Sequence, residues 1–358
     1  MSARRAKGMM TDFVYDIWYF GALSSDIPRR GRSAGLHRVI IAGEPICLGR
    51  RDDGTVFAMR DICPHRAAPF SAGCLKDGGV ECPYHGWVFD TQDGHCTDIP
   101  ALTPDSPVQP EKISVRTYPV SQTGNILWIW ISADKRFSSE PPFPPPAFPL
   151  VGTKPVIDDG VTLNCHVDHA VIGLMDPAHG PFVHQQWWWR SEASMHEKAK
   201  AFEPRERGFA MAAHSPSSNS AAYKLLGGKP VTEITFQLPG IRTEHITVGE
   251  KTVLSFTAVT PEDEDHTRIR QLFFTDHGLF KVLSPVLAFG ARAFLRQDAD
   301  MVDLQAKGLR FDPNLMLIED ADTQAKWYHQ LKKAWARAQE SGDSFVNPVK
   351  ARTLRWRS

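Results

Sequence analysis

The 358-residue chain carries 41 Lys and Arg against 41 Asp and Glu, so its formal net charge at pH 7 is zero. Without a net field we expect no nucleic-acid or anionic membrane partner, and a small substrate that is uncharged or weakly charged. The basic residues Arg4, Arg5 and Lys7 precede no apolar stretch that predicts a signal peptide or a membrane span, and six cysteines are too few for a disulfide scaffold. We therefore expect a cytoplasmic protein that is long enough for two domains.

Short β-rich runs separated by Gly, Asp and Pro fill residues 39–131, which predicts a small antiparallel β domain. Asp52-Asp53-Gly54 and Asp93-Gly94 are predicted hairpin turns. A proline-rich segment at 141–150 can form neither a helix nor a central strand, and it predicts a domain boundary. The expected division is an N-terminal region at 1–140 with its β core at about 37–132, this linker, and a second domain at 151–358.

The second domain is predicted to mix strands and helices in blocks. Strands are expected near residues 233–236, 253–257 and 268–274, and helices near 168–180, 279–305 and 321–340. Because the two kinds of element do not alternate, the pattern predicts an α+β fold with an antiparallel sheet and long helices.

The first metal-ligand motif places two Cys and two His in paired positions, Cys63-Pro64-His65 and, after sixteen intervening residues, Cys82-Pro83-Tyr84-His85. A structural zinc site is one interpretation, although zinc ligands usually come as C-x2-C or H-x3-5-H pairs. A Rieske [2Fe-2S] cluster needs two thiolates on one iron and two imidazoles on the other, so each of two loops supplies one Cys and one His. The mixed loops of this chain favour the Rieske cluster.

Two other groups of residues carry weaker signals. Cys47, Cys74, Cys96 and Cys165 are predicted to be small buried apolar residues. The run Trp187-Trp188-Trp189 has two interpretations, as the lining of a channel for a planar substrate or as aromatic core packing.

The stretch around the first motif resembles the Rieske domains of ring-hydroxylating and demethylating oxygenases, whose second loop reads C-P-x-H-G-W. High-potential Rieske proteins of respiratory complexes differ, because they carry an extra disulfide-forming Cys in each loop and a Ser and a Tyr that donate hydrogen bonds to the cluster. This chain has Ala68, Tyr84, Trp87 and Phe89 at the corresponding positions. Fewer donors to the cluster sulfurs imply a lower potential, which suits electron supply to an oxygen-activating iron.

The second motif, D-x2-H-x4-H, is formed by Asp176, His179 and His184. Two imidazoles and a carboxylate are the ligands of the facial triad that holds non-haem Fe(II). Residues five apart on a helix lie about 140° apart, so we predict a distorted or broken helix at Gly180-Pro181, between the two His. The residues alone leave Asp176 as a ligand, a helix cap or a group behind a ligand.

The second motif resembles the catalytic-domain signature of the same oxygenase family, in which both His bind iron and the Asp does not. The resemblance implies that Asp176 hydrogen-bonds to His179 and to the second cluster histidine, His85, of a neighbouring subunit. A carboxylate behind a ligating imidazole fixes its tautomer, which agrees with this role.

The third iron ligand must then come from elsewhere. Relatives in the family carry a late helix that reads roughly E-D-x-x-x-x-E-x-Q, and its aligned acid is Asp298. Gln297 replaces the usual preceding acid and Asp303 the later Glu, which makes Asp303 the second candidate. Asp300 is expected to face another side of the helix.

The resemblance implies an N-terminal Rieske domain, a helix-grip-like catalytic domain, a [2Fe-2S] cluster and a mononuclear Fe(II). The implied activity is that of a monooxygenase, which inserts oxygen from O2 into a small aromatic or cyclic substrate by hydroxylation or oxidative demethylation. The chain length is similar to that of the homomeric members, which implies a homotrimer. Since the sequence contains no G-x-G-x-x-G nucleotide fingerprint and no plant-type ferredoxin Cys run, we expect a separate reductase or ferredoxin donor. The alternatives are a dioxygenase α-type subunit and an electron-transfer protein with an inactive second domain.

Overall fold

A computed structural model describes residues 13–28, 35–134, 140–184, 195–215 and 228–358. The chain divides into two compact units, Tyr15–Gly152 (the N-terminal unit) and Thr153–Ser358 with Phe13 and Val14 (the C-terminal unit). The run Trp187-Trp188-Trp189 lies outside the described residues.

The N-terminal unit consists of small antiparallel sheets, as the sequence predicts. One three-stranded sheet contains Ile17–Leu23, Ile126–Ile131 and Val120–Thr123, and a second contains Leu36–Ile41, Glu44–Arg50 and Val56–Arg60. A four-stranded sheet contains Cys74–Lys76, Gly79–Glu81, Val88–Asp90 and Cys96–Asp98. The predicted turns at Gly54 and Gly94 are confirmed, and both glycines have positive φ, 88° and 80°. Every residue of the strand Ile126–Ile131 is buried, so this strand lies at the centre of its sheet.

The cysteines outside the motif do not all behave as expected. Cys47, Cys96 and Cys165 are buried, which confirms the prediction for them. Cys74 is exposed, and that prediction was wrong. Its strand lies at an edge of a four-stranded sheet, and a side chain on an edge strand can face water as easily as the core. The Cys74 thiol lies 3.8 Å from the Glu81 carboxylate.

The proline-rich segment packs on the N-terminal unit. The rings of Phe143 and Phe148 lie 5.2 Å from Trp130 and 6.4 Å from Trp128, respectively. The indole N–H of Trp18 donates to the carbonyl of Phe143 at 2.8 Å. Proline prevents this segment from joining a sheet, so aromatic contacts hold it.

The C-terminal unit contains an eight-stranded antiparallel sheet and helices. In spatial order its strands are Ile157–Leu163, Thr267–Thr275, Lys251–Pro261, Ile241–Val248, Val231–Gln237, Gly208–His214, Glu197–Arg205 and Arg352–Arg357. Its helices are Val167–Met175 (the first helix), Gly180–Val183 (the short helix), Gly278–Leu309 (the long helix) and Thr323–Ser341 (the C-terminal helix). The three predicted strands and three predicted helices are present, and the α+β class is confirmed.

A buried polar cluster joins the first helix to the C-terminal helix. One oxygen of the Asp168 carboxylate accepts hydrogen bonds from the Tyr328 hydroxyl at 2.7 Å and from the Lys332 ammonium at 2.5 Å. All three residues are buried. Buried charges are stable only when they are paired, so this cluster fixes the two helices against each other.

The long helix lies along the edge strand Ile157–Leu163. Arg292 pairs with Asp159 at 2.7 Å, and the Asn164 amide donates to Asp303 at 3.2 Å. Leu295 is its one buried residue. By length and composition alone this helix meets the criterion for a membrane span, and 6% of its most apolar window is buried.

Candidate metal centres

The two loops of the first motif have the same backbone geometry. In the first loop, the Cys63 amide donates to the Ala68 carbonyl, and the Ala67 amide donates to the Cys63 carbonyl. In the second loop, the Cys82 amide donates to the Trp87 carbonyl at 2.8 Å, and the Gly86 amide donates to the Cys82 carbonyl at 3.1 Å. The fourth residue after each Cys has a positive φ, 59° at Ala67 and 73° at Gly86. A left-handed residue at this position turns the chain back on itself, which explains the glycine in the second loop.

These loops bring the four predicted donors together. Cys63 and Cys82 are each 2% exposed, and the imidazole rings of His65 and His85 lie 4.6 Å apart. Burial and then the adjacent Cys82 thiol raise the pKa of Cys63 to about 11. Two inner sulfurs and two outer imidazoles match the donor set of a Rieske cluster, in which one iron takes the thiolates and the other takes the imidazoles.

Aromatic rings support both imidazoles. Trp87 stacks on His65 at 4.6 Å with an interplanar angle of 9°, and Tyr84 stacks on its neighbour His85 at 3.9 Å. His65 is exposed and His85 is half-buried. Since the thiols are buried and the imidazoles reach the surface, the histidine end is the one that an electron partner can approach.

The helix is interrupted near the second motif, but at a different position from the predicted one. The first helix ends at Met175, Asp176 is extended with ψ 117°, and the short helix Gly180–Val183 fills the interval between His179 and His184. The helix was predicted to break between His179 and His184, but it breaks before both of them. A residue that precedes a proline disfavours the helical conformation, so the first helix ends before Asp176-Pro177. Pro181 lies in the first turn of the short helix, where its missing N–H is tolerated.

The structure brings His179, His184 and Asp298 together. The two Nε2 atoms are 3.1 Å apart, and Oδ1 of Asp298 lies 3.2 Å from His184 Nε2 and 3.7 Å from His179 Nε2. Within the described ranges, no other three His, Cys, Asp or Glu side chains have ligand atoms close enough together to hold a single metal ion. Two imidazoles and one carboxylate suit a divalent iron ion.

Two further side chains lie behind the imidazoles. Oδ2 of Asp176 is 3.6 Å from Nδ1 of His179, and Oδ1 of the same residue accepts from the Ala178 amide at 2.7 Å. Burial opposes the charged form of His179, but Asp176 and then Asp298 outweigh it and raise the pKa of the imidazole. Oε1 of Gln297 lies 3.0 Å from Nδ1 of His184.

The competing acids of the long helix lie elsewhere. Asp303 accepts from Asn164, and Asp300 is exposed. In the sequence, Gln297 is recognisable only as a departure from the family pattern, and its contact with His184 was not predicted. Its position next to Asp298 was a usable signal, because a second residue beside a ligand often orients the ligand set.

A cavity of about 520 Å³ adjoins this group of residues. Its walls include His179, His184 and Asp176, apolar side chains such as Met211 and Ile234, and several charged residues. The volume is within the usual range for small-molecule sites. Apart from the histidines and Asp176, no wall residue was identified from the sequence, since the walls come from strands that are far apart in the chain.

Comparison with known proteins adds independent support. Residues 17–119 match the Rieske [2Fe-2S] domain, and residues 163–338 match the vanillate O-demethylase oxygenase C-terminal domain. The oxygenase component of dicamba O-demethylase from Stenotrophomonas maltophilia is 31% identical over 262 residues, covering 70% of this chain and 69% of the relative. Chloroplastic Protein TIC 55 from Pisum sativum is 34% identical over 58% of this chain and 37% of the relative.

Solved structures share the fold. Dicamba monooxygenase bound to dicamba gives a TM-score of 0.69 at 23% identity, covering 91% of this chain and all of that one. A Pseudomonas putida CBB5 NdmA mutant with caffeine gives 0.67 at 17% identity, covering 91% of this chain and 92% of that one.

The chain belongs to the Rieske non-haem iron oxygenases. It is the oxygenase component of a monooxygenase of this family, an oxidoreductase with a [2Fe-2S] cluster and a mononuclear iron, which uses O2, a small substrate and electrons from a reductase or ferredoxin. The dicamba relative fits the monooxygenase interpretation and not the dioxygenase or electron-transfer alternatives.

Proposed function

We propose that this oxygenase oxidises a C–H bond of a small aromatic or cyclic substrate at an iron held by His179, His184 and Asp298, with demethylation as the first reaction to test. The convergence of these three side chains beside a cavity carries the proposal. The dicamba relative is an O-demethylase, which supports this choice of reaction.

In the N-terminal unit, Cys63 and Cys82 would bind one iron of the cluster and His65 and His85 the other. The two loops hold these donors through their own backbone bonds, so the site needs little rearrangement to accept the cluster. Burial makes the Cys63 thiol resist ionisation, and iron binding would displace its proton and leave the thiolate that ligates the metal.

In the C-terminal unit, the bound iron would supply O2 activation. Three ligands on one face leave the other positions for dioxygen and substrate. When Gln297 Oε1 accepts a hydrogen bond from His184 Nδ1, the other ring nitrogen, Nε2, is free to bind metal. Asp176 lies 3.6 Å behind Nδ1 of His179 and places a negative charge next to that ring.

For the assembly we propose a cytoplasmic homotrimer with no membrane partner. A head-to-tail ring would let Asp176 of one subunit connect to His85 of the next, so that each cluster serves a neighbouring iron. The ion pair between Arg292 and Asp159, on the long helix and its adjacent strand, favours a helix packed on its own sheet over one inserted in lipid.

The test is purification with iron and sulfide supplied, followed by metal analysis, EPR and O2 uptake with a reductase. We expect a Rieske signal and product that carries an oxygen atom from O2. His179→Ala and Asp298→Ala should each lose the mononuclear iron and O2-dependent product while the cluster signal is unchanged. Asp303→Ala, on the same helix, is the matched control and should retain activity. A protein without acid-labile sulfide, or equal loss in Asp303→Ala and Asp298→Ala, would contradict the assignment.

A further inference from the structure

The C-terminal helix carries a row of polar side chains along the face that meets the first helix. Gln324, Tyr328 and Lys332 are spaced four residues apart, so they lie on one side of the helix. The hydroxyl of Tyr328 and the ammonium of Lys332 donate to Asp168, near the start of the first helix. Nε2 of Gln324 donates to the carbonyl of Met175 at 3.1 Å, where the first helix ends. The row therefore joins both ends of the first helix to the C-terminal helix.

The contact of Gln324 lies at the point where the helix is interrupted. Because the first helix ends at Met175, the carbonyl of this residue has no donor within the helix, and the side-chain amide of Gln324 supplies one. Both residues are buried, with 7% of Gln324 and 6% of Met175 exposed. A buried carbonyl needs a hydrogen bond, so this contact fixes the last peptide group before the break.

This peptide group determines where the side chain of Asp176 lies. The Met175 carbonyl and the Asp176 nitrogen belong to one planar unit, and the nitrogen donates to the Gly173 carbonyl at 3.3 Å. The unit is thus held at its oxygen by Gln324 and at its nitrogen by Gly173. Its position sets the Asp176 Cα, and Oδ2 of that residue lies 3.6 Å from Nδ1 of His179.

We propose that Gln324 is a positioning residue for electron transfer, because its amide holds the peptide that keeps the Asp176 carboxylate behind His179. The step concerned moves one electron from the cluster, reduced by the reductase or ferredoxin, to the mononuclear iron. This inference rests on the proposed function and adds a residue that binds neither metal. Since Gln324 acts through Asp176, its amide matters only while the Asp176 carboxylate is present, and substitutions at the two positions should not be additive.

The main test is a single turnover with a pre-reduced cluster, in which reoxidation of the cluster is followed by visible absorption. Gln324→Met keeps the length of the side chain but cannot donate to the Met175 carbonyl. We expect both metals to bind in native amounts and reoxidation to slow by about tenfold. Gln330→Met, at an exposed position of the same helix, should have the native rate. In the Asp176→Asn background, Gln324→Met should slow the reaction by less than about twofold further.

A second measurement does not depend on turnover. Nitric oxide binds to ferrous iron in the absence of O2, and the EPR spectrum of the complex reports the arrangement of the iron ligands. We expect Gln324→Met to change this spectrum in the same direction as Asp176→Asn, and the double variant to match Asp176→Asn.

Gln324→Glu provides a pH-dependent rescue. A carboxylic acid can donate its O–H to the Met175 carbonyl, whereas a carboxylate cannot, and burial raises the pKa of the introduced group above its ordinary value. Reoxidation in this variant should approach the native rate at the acid end of the pH range and fall by about tenfold as the group ionises. Gln324→Met should be slow at every pH, because it never has a donor.

A native reoxidation rate in Gln324→Met, an equal loss in Gln330→Met, or a further tenfold loss on addition to Asp176→Asn would each overturn the proposal. If Gln324→Met does not fold, Gln324→Glu decides, and absence of a faster rate at acid pH counts against the positioning role. The native enzyme tests the proposed function separately. If it forms no O2-dependent product, the oxygenase assignment fails, whereas an active native enzyme with an unaffected Gln324→Met loses only the positioning role.

Discussion

The two candidate iron sites are assembled in different ways. In the N-terminal unit all four donors lie within residues 63–85, on two loops that repeat one pattern of backbone hydrogen bonds. In the C-terminal unit, His179 and His184 come from one segment, and Asp298 comes from a helix more than a hundred residues later.

This difference determines what each site depends on. The first is held by local bonds and its own turn residues, so it should tolerate changes far away. The second exists only when the long helix, the first helix and the C-terminal helix are packed against one sheet. Substitutions at the two sites should therefore differ in how far their effects spread.

Removing the buried ammonium should unfold the second site while the first persists. Lys332→Met leaves the buried Asp168 carboxylate with the Tyr328 hydroxyl but without its charged partner, and we expect the free energy of unfolding of the C-terminal unit to fall by about 3–5 kcal/mol. Urea unfolding followed by tryptophan fluorescence measures this change, and visible absorption of the cluster follows the other unit. Lys333→Met, at the exposed neighbouring position, should change stability by less than about 0.5 kcal/mol. Equal effects of the two variants would contradict this account.

Removing the charge of Asp176 should disconnect the two sites without dismantling either. Asn at this position can still accept from the Ala178 amide, so the turn survives, but the carboxylate behind His179 is lost. We expect both metals to remain and turnover to fall by about a hundredfold. Single-turnover kinetics with pre-reduced cluster, compared with metal content, checks this result. Unchanged turnover would remove the proposed electron path.

Changing Gln297 should affect only the second site. In Gln297→Leu the His184 Nδ1 loses its acceptor, and iron affinity should fall by about tenfold because the ring is no longer oriented. Iron titration in the presence of a chelator measures the affinity, and the EPR signal of the cluster is the internal reference. Gln297→Glu keeps an acceptor and should retain tight binding. If both variants bind iron like the native chain, Gln297 has no positioning role.

The smallest effect tests the similarity of the two cluster loops. Gly86→Ala places a side chain at φ 73°, with its Cβ 3.2 Å from Pro100, and should lower stability by about 1 kcal/mol. Ala67→Gly, at the matching position of the other loop, relaxes φ 59° and should be neutral or slightly stabilising. Thermal loss of cluster absorption measures both. A destabilising Ala67→Gly, or a Gly86→Ala without effect, would show that the loops are not equivalent.

Much of the N-terminal unit could be predicted from the sequence, because its signals are local. Turn residues such as Gly54 and Gly94 and the spacing of Cys63, His65, Cys82 and His85 depend on neighbours in the chain. Even there, the exposure of Cys74 was predicted incorrectly, since a short edge strand gives no clear alternation of apolar and polar residues.

In the C-terminal unit the sequence indicated the existence of the main helices and the two His of the motif, but not their geometry. The break before His179 depends on Asp176-Pro177, and the sequence pattern predicted it four residues too late, at Gly180-Pro181. The strands Ile157–Leu163 and Arg352–Arg357 went unnoticed because edge strands carry many polar residues.

By itself the sequence determined the class of chemistry, because the identity and short-range spacing of thiol and imidazole donors restrict which metals they can bind. Only the tertiary structure decided which acid of the long helix meets the two imidazoles, that Gln297 contacts His184, and that Gln324 donates to the carbonyl of Met175. These contacts join residues separated by many turns of chain, and their geometry is set by the packing of helices on a sheet, which no local pattern encodes.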